Sequence, residues 1–213
     1  LGAKGKELNW NEAIKPGPLD IGFDYSFLVP ATGDRVPCVY MENRHVVGLD
    51  PDDPIEVSFD EPLLDEPTGK DHPELLKMKH SHGHDCTIVN GVGRIGYMTG
   101  GKSALFKDED MADDFVREAS KLIRTNRDRP FFLLLSYYAP HPRFIAESEE
   151  DLAFGKSIEQ PCVDEGEPDD KPLWIQLTAR SMKPKAIADC GQRSRSLQAA
   201  LLQPVDRGVD RIF

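Results

Sequence analysis

The chain has 213 residues and a formal net charge of -11 with no basic block. This argues against a nucleic-acid partner, because such surfaces need clustered lysine and arginine. No apolar run approaches the ~20 residues that cross a bilayer, so no transmembrane segment is predicted. The four cysteines are far apart and form no Cys-x-x-Cys pair, which argues against a zinc ribbon or a thioredoxin-type site.

The first third of the chain predicts short strands joined by turns. Residues 21–29 alternate aromatic and polar side chains before they become apolar, a pattern typical of a strand that enters a core. A polar turn follows at residues 30–37, and residues 36–41 and 45–49 are expected to form a hairpin. Residues 50–79 are acidic and rich in proline, so we predict a surface loop there.

A cluster of three histidines follows this acidic region. His80, His82 and His84 lie close together in the sequence, and Asp85 comes directly after them. The cluster could bind zinc or copper, because alternate residues of an extended strand share one side. No second ligand pair lies at zinc-finger spacing, and the other interpretation is a polar loop that rims a substrate cleft.

Glycines recur over residues 91–101 without completing a nucleotide-binding motif. Residues 91–96 have the spacing of a dinucleotide fingerprint, but the sequence predicts no strand before them and no helix at the right place, so we reject this motif. Residues 100–103 lack the first glycine of a P-loop at the required spacing. Lys102 within them is a candidate contact for an anion.

The clearest helix is predicted over residues 108–126, where apolar residues recur at three- and four-residue steps between an acidic start and a basic end. The apolar run of residues 131–135 then predicts a strand buried on both faces, as in a parallel sheet. The two elements form half of a right-handed crossover unit, so we predict an α/β fold with a mostly parallel central sheet. Ligands bind outside the carboxyl ends of such strands, and His141 lies just past this end. The other interpretation of His141 is a loop residue that only caps the strand.

The stretch from Arg129 to Arg143 resembles the sulfatase family, in which Pro-Phe-Phe-Leu and then Ala-Pro-His follow a helix with an acidic start. Residues 22–24, Gly-Phe-Asp, followed by a polar loop and Pro-Cys, are similar to an arylsulfatase element. Residues 169–174 resemble an element of glucosamine-6-sulfatase-like members. The resemblance implies an alkaline-phosphatase-like fold. Residues 1–213 would be a partial sulfatase catalytic domain, matched best over 1–144 and patchily over 145–213.

The resemblance also implies a function and a set of site residues. The family hydrolyses sulfuric esters, and His141 would contact the ester oxygen or protonate the leaving alcohol. Thr32 holds the place of a hydroxyl residue near the sulfate, with Asp34 beside it; Lys102 and Arg143 are further candidates for substrate binding. The alternative for Thr32 and Asp34 is hydrogen bonding to their own turn. The implied partner is a sulfated small molecule or sulfated carbohydrate, and the implied location is periplasmic, secreted or lysosomal.

The chain departs from the family in its cofactor residues. Family members use a calcium ion and a formylglycine made from Cys or Ser in Cys/Ser-x-Pro-x-Arg, and this motif occurs nowhere in the sequence. The paired aspartates of the family's first strand and its later Asp-Asn calcium pair are missing too, so we name no metal ligand. We therefore expect an internal fragment that has no sulfatase activity on its own.

Two other classes of function stay open. One is a non-catalytic binding or interaction remnant of a sulfatase, which would bind sulfated sugars weakly or not at all. The other is a metal-dependent phosphatase or phosphodiesterase of the same superfamily. Only the histidine cluster of residues 80–84 supports this second alternative.

Overall fold

The computed structural model describes residues 8–64, 66–77 and 83–136. All of them belong to the first of the two units into which the chain divides, Leu1–Tyr138. The predictions for His141, for Arg143 and for residues 145–213 therefore lie outside the described residues. The expectation that residues 1–213 form one partial catalytic domain stays a prediction.

The first sheet has three short antiparallel strands in the order in which they follow along the chain. Strand β1 is Phe27–Leu28, β2 is Met41–Glu42 and β3 is His45–Val46. Strands β2 and β3 confirm the predicted hairpin, although it is shorter than expected. Strand β1 confirms the predicted first strand over its last part only, where the side chains become apolar.

The other two sheets are antiparallel pairs. Strand β4, Glu56–Ser58, pairs with β7, Tyr97–Thr99. Strands β5, Ile88–Val89, and β6, Val92–Gly93, form a hairpin. Its two turn residues, Asn and Gly at 90–91, have φ angles of 54° and 73°, as a tight hairpin turn requires.

These pairs correct two expectations from the sequence. A short strand, β5, does precede the glycines of residues 91–96, but a second strand follows instead of a helix, so the dinucleotide motif stays rejected. The predicted surface loop of residues 50–79 is wrong in part, because it contains β4. Ile55, next to this strand, is only 3% exposed. Val57 within the strand also packs against the core, so apolar residues anchor this acidic segment.

The single described α-helix confirms the helix prediction. It is α1, Met111–Asn126, and a short 3-10 helix, Asp108–Asp110, leads into it. Its buried face carries Val116 and Ala119. Among the described residues, no helix is long and apolar enough to cross a membrane.

An aromatic cluster joins this helix to the first sheet. The ring of Tyr40 lies 5.0 Å from that of Phe27, 5.6 Å from that of Phe106 and 6.0 Å from that of Phe115, between ring centroids. Such pairs contribute roughly 0.5–1.5 kcal/mol each beyond the burial of their area. Tyr40 therefore centres a core that fixes α1 against β1 and β2.

The strand predicted over residues 131–135 is wrong in this structure. Residues 130–136 belong to no strand, and Phe132 is 78% exposed and Leu134 66% exposed. A strand needs a neighbouring strand to satisfy its backbone groups, and no described strand lies beside this run. The described part of the chain is α/β, but its sheets are small and antiparallel. Among the described residues, the one parallel pairing is an isolated bridge between Arg35 and Ile95. The mostly parallel sheet stays a prediction.

Candidate functional site

A buried arginine fixes the loop that carries Thr32 and Asp34. Arg94 is 0% exposed, and its Nη1 donates to the carbonyl oxygen of Gly33 at 2.7 Å, while Nη2 donates to that of Val89 at 2.9 Å. Both nitrogens also donate to the carboxylate of Asp108, at 2.9 and 2.6 Å. A charge so far from water is tolerated only when it is paired and hydrogen-bonded, as it is here. Arg94 thus ties the loop to the segment before α1.

Backbone hydrogen bonds hold the same loop from its other side. The amide of Ile95 donates to the carbonyl oxygen of Asp34 at 2.8 Å, and the amide of Val36 donates to that of Ile95 at 3.2 Å. Within the loop, the amide of Arg35 donates to the carbonyl oxygen of Thr32 at 2.9 Å. This turn leaves the Thr32 side chain exposed and buries Asp34.

The carboxylate of Asp34 meets a histidine that is distant in sequence. Its Oδ2 lies 2.9 Å from Nε2 of His84, 50 residues away. The Asp34 side chain is 7% exposed, and that of His84 is 23% exposed. A carboxylate that binds one ring nitrogen fixes the orientation of an imidazole. The pair therefore holds an oriented, partly exposed imidazole against the loop that also carries the exposed Thr32.

The backbone around His84 is held as closely as its ring. The amide of Cys86 donates to the carbonyl oxygen of Arg94 at 3.1 Å, and the amide of Lys70 donates to that of Asp85 at 2.9 Å. A Cβ at Gly93 would overlap the carbonyl oxygen of His84, so only a glycine fits there. Strand β6 and the His84 segment therefore lie in direct backbone contact.

The described residues do not fit the two cofactors that the resemblance implies. Within residues 8–64, 66–77 and 83–136, no group of three or more His, Cys, Asp or Glu side chains could hold a metal ion. Cys38 is fully buried, and burial raises the pKa of its thiol to about 12, so it is protonated and inert at neutral pH. Since the formylglycine motif is also missing from the sequence, we derive no step through either group.

The histidine cluster is only partly described. His84 binds Asp34, which fits a polar segment at the edge of the candidate site. His80 and His82 lie outside the described residues, so a metal site formed by all three stays a prediction.

The structure places the three predicted site residues that it describes in two regions. Thr32 and Asp34 share one rigid loop. Lys102 is held elsewhere: its amide donates to Asp53 Oδ2 at 2.8 Å, and its side chain is exposed. His141 and Arg143 lie outside the described residues.

Sequence reasoning missed Arg94 and the pairing of His84 with Asp34. Arg94 did leave a signal, because it is one charged residue in the otherwise uncharged run of residues 86–101. A lone charge in such a run predicts a buried ion pair, but it does not name the partners. The pairing of His84 left no signal of this kind.

A cavity of about 350 Å³ lies away from this loop. Trp10, Glu12, His45 and Leu49 are among the residues that line it. The sequence predicted none of them as a site residue, and we assign the cavity no ligand.

The chain is similar to known bacterial sulfatases. It is 52% identical over 154 residues to an N-acetylgalactosamine-6-O-sulfatase of Bacteroides thetaiotaomicron, a match that covers 70% of this chain and 30% of the relative. A solved structure is described as a 6S-sulfatase in work on glycosaminoglycan metabolism by Bacteroides thetaiotaomicron. It matches with a TM-score of 0.70 and 37% identity over 96% of this chain and 36% of that one. No family model matches the chain. The chain spans about a third of the length of these two relatives.

Proposed function

Because this chain belongs to the sulfatase family, we propose that it forms part of a sulfuric ester hydrolase that acts on a sulfated carbohydrate. Its relative is named for the 6-sulfate of N-acetylgalactosamine, and we propose a 6-sulfated amino sugar as the substrate class. From the similarity to sulfatases alone, we also propose that the protein is exported and is periplasmic, secreted or lysosomal. The mostly parallel central sheet of an alkaline-phosphatase-like fold belongs to this proposal for the complete domain.

The observation that carries the proposal is the rigid loop of residues 30–37, in a chain that is similar to sulfatases. Arg94 and the backbone hydrogen bonds of Ile95 hold the loop, and Thr32 on this loop is exposed. A hydroxyl carried on a fixed backbone loses little backbone entropy when it binds an oxygen-rich ester. Thr32 would therefore contact the substrate near its sulfate.

Three further residues belong to the proposal because of the chain's similarity to sulfatases. His141 would protonate the leaving alcohol or contact the ester oxygen, since an imidazole is suited to both roles near neutral pH. Arg143 would add a cation for the sulfate, and Lys102 would do so only if the complete domain brings substrate to its side of the chain. We assign no described residue as nucleophile or metal ligand.

A chimera tests the proposal directly. Residues 1–213 would replace the segment that they match in the Bacteroides N-acetylgalactosamine-6-O-sulfatase, and sulfate release from N-acetylgalactosamine 6-sulfate would be measured. If this chain retains its family's chemistry, we expect kcat/KM within about tenfold of the parent enzyme, a difference of roughly 1.4 kcal/mol. The unfused chain serves as the blank, because it lacks the formylglycine motif and we expect no turnover from it.

Two variants of the chimera make the result specific. His141→Ala should lower kcat by about 100- to 10,000-fold, as the loss of a general acid does. His45→Ala, at an exposed histidine outside the loop, should leave kcat nearly unchanged. A chimera that has the same melting temperature as the parent enzyme but releases no sulfate would overturn the proposal.

A further inference from the structure

Asn90 and Gly91 form the one Asn-Gly pair in the sequence, because each of the other four asparagines precedes a residue with a side chain. They are the two turn residues between β5 and β6, and Asn90 has a φ of 54°. Asparagine is a thermally labile residue, because its amide carbon can be attacked by the backbone nitrogen of the residue that follows. Glycine has no Cβ to shield that nitrogen. The turn therefore carries the sequence at which this attack is least hindered.

The described hydrogen bonds of this turn leave out the backbone nitrogen of Gly91. The carbonyl oxygen of Gly91 accepts from the amide of Lys77 at 2.8 Å, whereas no described hydrogen bond uses the N–H of Gly91. The ammonium of Lys77 lies 2.9 Å from Asn90 Oδ1, the oxygen on which negative charge develops when the amide carbon is attacked. A cation at that oxygen stabilises the developing charge. Both features favour the attack in the folded chain.

We propose that Asn90 is a site of spontaneous deamidation, and that the product loosens the loop of residues 30–37. The backbone nitrogen of Gly91 loses its proton and forms a bond to Cγ of Asn90. The bond from Cγ to Nδ2 breaks, and Nδ2 leaves as ammonia with that proton. Water then opens the cyclic imide at either carbonyl, which gives an aspartate at position 90 or its iso-aspartate isomer. The inference does not depend on the proposed function.

The amide of Asn90 lies where a carboxylate would be harmful. Its Nδ2 donates to Asp108 Oδ2 at 3.0 Å and to Glu109 Oε2 at 2.5 Å. The side chains of these two acids are 9% and 25% exposed. A carboxylate at position 90 has no hydrogen to donate, and it adds a like charge close to both acids. Deamidation therefore replaces two hydrogen bonds by two repulsions.

One of these two acids also binds the arginine that anchors the loop. Asp108 Oδ2 accepts both from Asn90 Nδ2 and, at 2.6 Å, from Arg94 Nη2. Arg94 Nη1 in turn donates to the carbonyl oxygen of Gly33. Because one oxygen is shared, a displacement of Asp108 by the new charge moves the guanidinium as well. A reaction in the turn between β5 and β6 thus reaches a loop that is distant in sequence.

Mass spectrometry of the full 213-residue chain tests the site. The folded chain is kept at body temperature and mildly alkaline pH, and its peptides are compared with those of fresh chain. Asn43 is the internal control, since it has a similar φ, 56°, in the tight turn between β2 and β3 but precedes an arginine. We expect aspartate and iso-aspartate at position 90 and an intact Asn43. An intact Asn90, equal reaction at both positions, or reaction of Asn90 only after unfolding in urea would overturn the inference.

Substitutions test the effect on the loop separately from the chemistry. Asn90→Asp places the carboxylate of the product in the turn, and we expect it to lower the urea concentration at which half of the chain is unfolded. Hydrogen exchange should become faster at the amide of Ile95, which donates to Asp34 in the loop, than at the amide of Val47, which donates to Tyr40. An equal change at both amides would contradict a specific effect on the loop.

Asn43→Asp is the control that is matched in charge. Asn43 Oδ1 accepts from the amide of Ser26 at 3.1 Å, and a carboxylate can accept the same hydrogen bond. The urea midpoint of this variant should therefore stay near that of the parent. Equal losses for Asn43→Asp and Asn90→Asp would show that the added charge, and not its position, causes the effect.

A second substitution keeps the test decisive if Asn90→Asp does not fold. Glu109→Gln removes one of the like charges and supplies an N–H that can donate to the new carboxylate. The double variant Asn90→Asp/Glu109→Gln should therefore fold and recover part of the lost urea midpoint. A double variant that is no more stable than Asn90→Asp would contradict repulsion at this network as the cause.

Discussion

Replacing Arg94 by methionine should lower the free energy of unfolding by about 3–5 kcal/mol, the cost of breaking a buried ion pair by removing one partner. Methionine fills a similar space but donates nothing. The Asp108 carboxylate, whose side chain is 9% exposed, would lose both of its guanidinium bonds, and the carbonyl oxygens of Gly33 and Val89 would each lose a donor. Urea denaturation followed by circular dichroism measures the loss.

Arg117→Met is the matched control for this substitution. Arg117 also pairs with an aspartate, Asp114 at 2.5 Å, but its side chain is 61% exposed. Exposed pairs contribute only about 0–1 kcal/mol, so this variant should stay within that range of the parent. Equal losses for Arg94→Met and Arg117→Met would show that Arg94 does not anchor the loop.

Replacing Gly93 by alanine should cost about 1–3 kcal/mol, the usual effect of forcing an extra carbon into a packed core. The new Cβ would overlap the carbonyl oxygen of His84, which is backbone and cannot rotate away. The segment of His84 must then move from β6, and its ring from Asp34. We therefore expect a second effect, a change in the ¹⁵N shifts of the His84 ring, measured by nuclear magnetic resonance.

Gly69→Ala is the control for that prediction. A Cβ at Gly69 would lie 3.4 Å from the Cα atoms of Asp85 and Gly93, which is an ordinary contact distance. We expect the free energy of unfolding to change by no more than about 0.5–1 kcal/mol, as for most substitutions without a specific clash. If Gly93→Ala is no more harmful than this control, the backbone contact between β6 and His84 is not tight.

Sequence reasoning succeeded where the signal was local. The helix at residues 111–126 was predictable because its apolar residues recur at helical spacing between acidic and basic ends. The hairpin of residues 41–46 was predictable because a short polar turn joins two apolar runs. Both elements depend mainly on residues within one or two turns of each other.

The candidate site could not be predicted in the same way, because its contacts are distant in sequence. Arg94 reaches Gly33 across 61 residues, and His84 reaches Asp34 across 50. No periodic pattern links such positions. The wrong strand at residues 131–135 has the same cause, since an apolar run becomes a strand only where another strand lies beside it.

The central claim is that the exposed face of residues 30–37 binds the sulfated sugar. The most direct measurement is a crystal structure of the chimera, made inactive by His141→Ala, with N-acetylgalactosamine 6-sulfate bound. We expect the Thr32 hydroxyl to lie within about 3 Å of an oxygen atom of the ligand, the distance of a hydrogen bond. A well-defined ligand bound in the chimera without a contact to Thr32 would contradict the account.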